Sequence, residues 1–166
     1  MSVSAERLRD LSAATGFRPA ALEKVVRLGE VVADVSRHPL LGRALVLKGG
    51  TALNLGFGPP PRLSVDIDLN YVGSEGREAM LAERPEVEGA VERLAAGRGY
   101  RIQRSREDHA GRKLFLHYRS AAGTPDRIEI DLNFLFRVPL GEPRPSPSGS
   151  PATSGDRRSA SCRPRS

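Results

Sequence analysis

The sequence has few of the residues that mark several protein classes. It contains one cysteine, Cys162, in 166 residues. No intramolecular disulfide can form, which excludes a disulfide-stapled scaffold and suits a cytoplasmic protein. No apolar run approaches the ~20 residues of a membrane-spanning helix. The first seven residues lack the apolar stretch of a secretory signal. The histidines, His38, His109 and His117, have no cysteine or histidine at zinc-ligand spacing, which argues against a zinc site. His38 precedes Pro39 and is expected to play a structural or capping role at a helix end. Cys162 has no histidine or asparagine context and does not read as a nucleophile. What remains is 39% hydrophobic and 28% charged, the composition of a soluble domain with a modest core.

The net charge is +6, with a pI near 10.2. Half of that excess sits in residues 141–166, where Arg144, Arg157, Arg158, Arg163 and Arg165 outnumber Glu142 and Asp156. The rest of the chain is only mildly basic, so charge alone is weak evidence for nucleic acid. Apolar patterning also stops at this boundary. Residues 1–140 are periodic and form the expected domain. Residues 141–166 are rich in Pro, Ser and Arg and cannot offset their ordering entropy, so they read as a disordered tail. The abruptness of the change suggests a frameshifted or replaced C-terminal half.

Within residues 1–140 the patterning predicts helices over 6–14, 19–36 and 78–96, with Pro85 expected to kink or split the last. A short strand or helix end covers 44–47, and a helix begins at Thr51. Strands are predicted over 64–72, 100–106, 113–119 and 127–136. Helices first and strands last give an α+β class with a mixed sheet.

The chemistry gathers in two alternating strands. In Leu63-Ser64-Val65-Asp66-Ile67-Asp68-Leu69-Asn70, the polar residues share one face and the apolar residues the other. At ~4 Å and an effective dielectric near 20, paired carboxylates repel by roughly 4 kcal/mol. Such a pair calls for a cation, and hard oxygen donors suit Mg²⁺ or Mn²⁺. A calcium loop is excluded, because Tyr71 and Arg77 stand where glycine and glutamate are required. The run Arg127 to Phe134 alternates in the same way and puts Glu129, Asp131 and Asn133 on one face. If the strands are neighbours, three carboxylates converge, two to hold metal and Asp131 to activate an attacking hydroxyl. An ordinary acidic sheet surface is the competing reading.

Upstream lies Leu47-Lys48-Gly49-Gly50-Thr51-Ala52-Leu53. A glycine pair permits a tight turn and close backbone approach, and a following helix N-terminus favours anionic oxygens. Lys48 adds a charge and Thr51 a hydroxyl. The order is not that of a Walker loop. Further basic residues, Arg98, Arg101, Arg104, Arg106, Arg112, Lys113 and Arg119, form either a solvated surface or a track for an RNA backbone.

Lys48-Gly49-Gly50-Thr51-Ala52-Leu53 followed by Arg62-x-Ser64-x-Asp66-x-Asp68 closely resembles the AbiEii/AbiGii-type toxin nucleotidyltransferases of the DNA polymerase β superfamily. Leu22-Glu23-Lys24 is similar to that family's upstream Glu-Lys element, and Glu129 to Asn133 to its strand with the third acid. The resemblance covers roughly residues 15–140 and implies a minimal nucleotidyltransferase fold. It implies that Lys48, Gly49, Gly50, Thr51 and Ser64 bind nucleotide, that Asp66 and Asp68 bind metal, and that Asp131 completes the catalytic set. The implied reaction moves a nucleotide from a nucleoside triphosphate to an RNA acceptor, tRNA ends included, with an antitoxin encoded nearby. Family members continue into a helical C-terminal region where this chain has its Pro/Ser/Arg segment. The chain therefore reads as a truncated member, expected to bind nucleotide weakly and transfer it poorly. The alternatives are an impaired remnant that only binds nucleotide or antitoxin, and an antibiotic-modifying nucleotidyltransferase.

Overall fold

The computed structural model describes residues 3–49, 63–106 and 111–135. Gly50, Thr51, the helix expected from Thr51 and the tail over 141–166 lie outside the described residues. Helix α1 spans Ala5–Thr15 and α2 spans Pro19–Arg37. A single turn, α3 (Leu41–Ala44), leads into β1 (Leu45–Lys48). Then come β2 (Asp66–Tyr71), α4 (Arg77–Gly97), β3 (Arg101–Arg104), β4 (Gly111–Arg119) and β5 (Pro125–Asn133).

Local chemistry sets the helix boundaries. Ser4 Oγ accepts the Arg7 amide at 3.2 Å and caps α1, whose end is closed by left-handed Gly16. Pro19 opens α2 at a position where its missing N–H costs nothing. His38, extended before Pro39, ends α2. Its Nδ1 accepts the amides of Leu40 at 3.2 Å and Leu41 at 3.3 Å, so His38 caps α3. Pro85 does not split α4, which runs unbroken from Arg77 to Gly97. Pro85 is exposed, while Met80, Val87, Ala90 and Val91 bury the opposite side of the helix. That anchorage on both flanks offsets the lost hydrogen bond.

The strands form one mixed sheet in the order β1-β2-β5-β4-β3. Only the β2–β5 pair is parallel. One face carries Ile67, Leu69, Tyr71, Leu114, Leu116, Ile128, Ile130 and Leu132, all buried. Leu28, Val31 and Val35 of α2 and Met80, Val87, Val91 and Ala95 of α4 complete this core. The other face holds the polar residues of the same strands. This is the expected α+β architecture, with four helices among the described residues. None of the described helices is long and apolar enough to cross a membrane.

Ion pairs tie the helices to the sheet. Glu23, 3% exposed, accepts both Arg27 Nε at 3.0 Å and the Ala121 amide at 3.0–3.1 Å. Lys24 Nζ reaches Asp126 at 2.9 Å. Both residues of the Glu-Lys element therefore grip the β4–β5 hairpin. Elsewhere on this helix-covered face, Glu88 pairs with Arg84 at 2.7 Å and Arg112 at 2.9 Å, and Arg84 donates to the Gly111 carbonyl.

Arg98 joins the end of α4 to Asp34 and Glu30 of α2. The Arg98 guanidinium holds the Asp34 carboxyl down to about 2. A depressed folded value means that this stabilisation is present above the ordinary carboxylate range and is lost as pH falls toward about 2. Asp34 is partly exposed, so the contribution after solvent screening is about 1 kcal/mol. Acid titration of the melting temperature should show this loss between pH 4 and 2, and Asp34→Asn should flatten that part of the curve.

Candidate active site

Strand alternation sends Asp66, Asp68 and Asn70 away from the core, since Ile67, Leu69 and Tyr71 are buried. The β2–β5 register sets Asp66 opposite Glu129, Asp68 opposite Asp131 and Asn70 opposite Asn133. The β1–β2 register sets Lys48 opposite Asp68. The β4–β5 register sets Lys113 opposite Asp131. One cross-strand row therefore reads Lys48, Asp68, Asp131, Lys113. Charges alternate in pairs along it, with two adjacent carboxylates flanked by two ammonium groups.

Gly49 follows Lys48 with φ +76°, a left-handed conformation that favours glycine. A Cβ there would collide with the Asp68 carboxylate. The backbone thus approaches Asp68 as closely as a missing side chain allows. Gly49→Ala should cost about 1–2 kcal/mol in backbone strain alone. It should also displace Asp68, so its loss of nucleotide and metal affinity should exceed its effect on melting temperature. Isothermal titration and thermal melting of the same sample separate the two.

The three expected carboxylates share a face but do not converge as a ligand set. Among the described residues, no group of three or more His, Cys, Asp and Glu side chains is placed to hold a metal ion. Asp131 instead leans to Lys113, with Oδ2 to Nζ at 3.5 Å. Like-charged neighbours separate, and Lys113 offers Asp131 a countercharge on the side away from Asp68. Both partners are about half exposed, so the pair adds at most about 1 kcal/mol to stability. Glu129 pairs with Arg127 at 3.2 Å.

Three observations bear on whether a divalent cation fits. Asp66 and Asp68 present hard oxygen donors on one face. Gly49 leaves room at Asp68 that any side chain would fill. The Asn70 Oδ1 atom, on the same face, is buried and accepts no hydrogen bond among the described residues. This donor set suits Mg²⁺, which takes one or two carboxylates and completes its shell with water and substrate phosphates.

Of the expected nucleotide-binding residues, Lys48 and Gly49 stand beside Asp68. Ser64 lies just before β2 and is half-buried. Gly50 and Thr51 lie outside the described residues. The basic region does not form one track. Arg98, Arg104 and Arg112 pair with Asp34, Glu92 and Glu88 of the helices. Lys113, His117 and Arg119 alternate with buried Leu114 and Leu116, and so face the polar side with Arg101 and Arg127. The position of Lys113 beside Asp131 was not legible in the sequence. Its parity in β4 was, but the partner strand was not.

The mixed sheet backed by helices thus sets an Asp-x-Asp strand beside a third acid, with Gly49 against Asp68. The family model for the nucleotidyl transferase AbiEii toxin of type IV toxin–antitoxin systems matches residues 33–155. The chain belongs to this family. Membership carries a nucleotide substrate and an antitoxin partner with it. The match begins within α2, after Glu23 and Lys24, and takes in residues 141–155 of the segment read as a tail. No curated protein matches the chain.

Proposed function

We propose that this protein transfers a nucleotide from a nucleoside triphosphate to an RNA acceptor in a Mg²⁺- or Mn²⁺-dependent reaction. This would be the toxin activity of its toxin–antitoxin pair. The observation that carries the reading is the register that seats Asp68 between Lys48 and Asp131, with Gly49 against its carboxylate. Asp66 and Asp68 would hold the cation, which when bound neutralises phosphate charge and favours displacement at phosphorus.

The remaining steps belong to side chains of this chain. Lys48 and the backbone at Gly49 receive the polyphosphate on the β1 side of Asp68. Ser64, just before β2, would extend that cradle, and Gly50 and Thr51 are assigned to the nucleotide by the family resemblance alone. Asp131, one strand further, accepts the proton of the attacking hydroxyl as the new phosphoester bond forms and pyrophosphate leaves. A hydroxyl at the end of an RNA supplies both the nucleophile and a polyanion that suits Lys113, Arg127 and Arg101. A polycationic antibiotic acceptor would meet repulsion from the same residues. With a triphosphate donor and an RNA acceptor the reaction would be cytoplasmic, and the cognate antitoxin would be encoded nearby.

The test is incubation of the purified chain with each labelled nucleoside triphosphate, total RNA and Mg²⁺, with a chelator control. Label in RNA that requires the cation and one preferred nucleotide supports the proposal. Nucleotide binding without transfer would favour the remnant reading, a protein that binds nucleotide but no longer catalyses.

A further inference from the structure

We infer that Lys113 is an acceptor-side phosphate contact, and that the polar face of β4 with its neighbours is the track along which the acceptor strand lies. The inference rests on the proposed reaction and adds the location and charge of its second substrate site.

Three observations carry it. The first is the order of the row Lys48, Asp68, Asp131, Lys113. Lys48 and Gly49 lie at the β1 edge. Lys113 lies three strand spacings away, roughly 14 Å between backbones. One phosphate cannot touch both, so Lys113 faces a different part of the reacting pair. Asp131 lies between Lys113 and the donor side, where a residue that receives the proton of the attacking hydroxyl must be.

The second is the character of the Lys113–Asp131 pair. At 3.5 Å, with side chains 52% and 42% exposed, it contributes little to stability. An ammonium on a flexible stem can leave such a partner for a phosphate at small cost, and it binds phosphate as a point charge.

The third is the division of charge across the face. Toward β1, strand β2 carries Asp66 and Asp68; the central β5 carries Asp131 and the Arg127–Glu129 pair at 3.2 Å; β4 and β3 carry Lys113, Arg119 and Arg101. The arginines and glutamates behind the sheet are already paired with each other. The cations that can meet a strand of phosphates are therefore Lys113, Arg119 and Arg101 on the polar face, since Arg127 is paired with Glu129. The exposed edge strand beyond β4 lets a chain longer than one nucleotide continue across it.

The experiment uses the full chain, a single-stranded oligoribonucleotide with a free 3′-hydroxyl, and the variants Lys113→Gln and Lys113→Arg. In transfer assays, Lys113→Gln should raise the KM for the oligonucleotide roughly tenfold and leave the KM for the nucleoside triphosphate within about twofold. Lys113→Arg should restore most of the loss. Because Lys113 is exposed, the melting temperature should barely move.

Binding is read separately from transfer. The slope of log affinity against log salt should fall by about one unit in Lys113→Gln. A chain that transfers nothing but loses that unit would overturn the proposed reaction and uphold the track. Unchanged RNA binding in Lys113→Gln, no RNA binding by the parent chain, or a KM change confined to the nucleotide would each overturn the track.

Discussion

Replacing Asp68 by asparagine is expected to lower nucleotidyl transfer by at least a hundredfold to a thousandfold, the scale of removing one preorganised electrostatic group. Asp68 is the centre of the site: Lys48 faces it from β1, Asp131 from β5, and Gly49 leaves room for its carboxylate. Asparagine keeps the size and one oxygen but removes the charge that would balance a divalent cation. The same change removes repulsion between adjacent carboxylates. The melting temperature without cation should therefore hold or rise, and the stabilisation that Mg²⁺ with nucleotide gives the parent should vanish. Opposite movements of activity and stability separate a functional charge from a structural one. Equal loss of both would mean that Asp68 serves the fold.

The second large effect concerns stability. Glu23→Ala should lower the melting temperature by roughly 10 °C or more, since breaking a buried ion pair costs about 3–5 kcal/mol. Glu23 is buried and its carboxylate receives Arg27 and the Ala121 amide together. Truncation leaves the Ala121 amide without its acceptor and Arg27 with only the Arg119 carbonyl at 3.5 Å. Activity should fall as well, because that hairpin fixes the start of β5 and hence the place of Asp131. Lys24→Ala, which removes the partly exposed Asp126 pair, should cost far less. Thermal melts of the two variants side by side check the ranking. Similar losses would show that the hairpin is not held chiefly by Glu23.

How much of this was legible in the sequence depends on the range of the interaction. Alternation in Leu63 to Asn70 and in Arg127 to Phe134 put the acids on one face before any fold was known, because strand parity is local. Helix limits at Ser4, Pro19 and His38 were equally local. Pairing was not. That Asp68 and Asp131 are opposed in register depends on the sheet order, which no single strand encodes. For the same reason the sequence does not separate Lys113 from its basic neighbours, of which Arg98, Arg104 and Arg112 engage acids of the helices. Glu23 was singled out only through a family resemblance. Nothing local shows that a charged residue on α2 will be buried under a hairpin almost a hundred residues later.

The expected convergence of three carboxylates depends on more than strand parity. Parity and register bring Asp66, Asp68 and Asp131 to one face, but Asp131 turns to Lys113. In the proposed reaction, phosphate oxygens would supply the remaining ligands, and Lys113 would exchange Asp131 for a phosphate. The triphosphate and the cation should therefore bind together, each weakly alone.

The most direct measurement is a crystal structure with Mn²⁺ and a non-hydrolysable nucleoside triphosphate, with the ion located by its anomalous scattering. The account predicts an anomalous peak bonded to Asp66 and Asp68, with the polyphosphate against Lys48 and Gly49 and Asp131 within reach of the α-phosphate. A nucleotide and ion bound elsewhere, for example in the cavity of about 280 Å³ between α1, α2 and the β4–β5 hairpin, would contradict it.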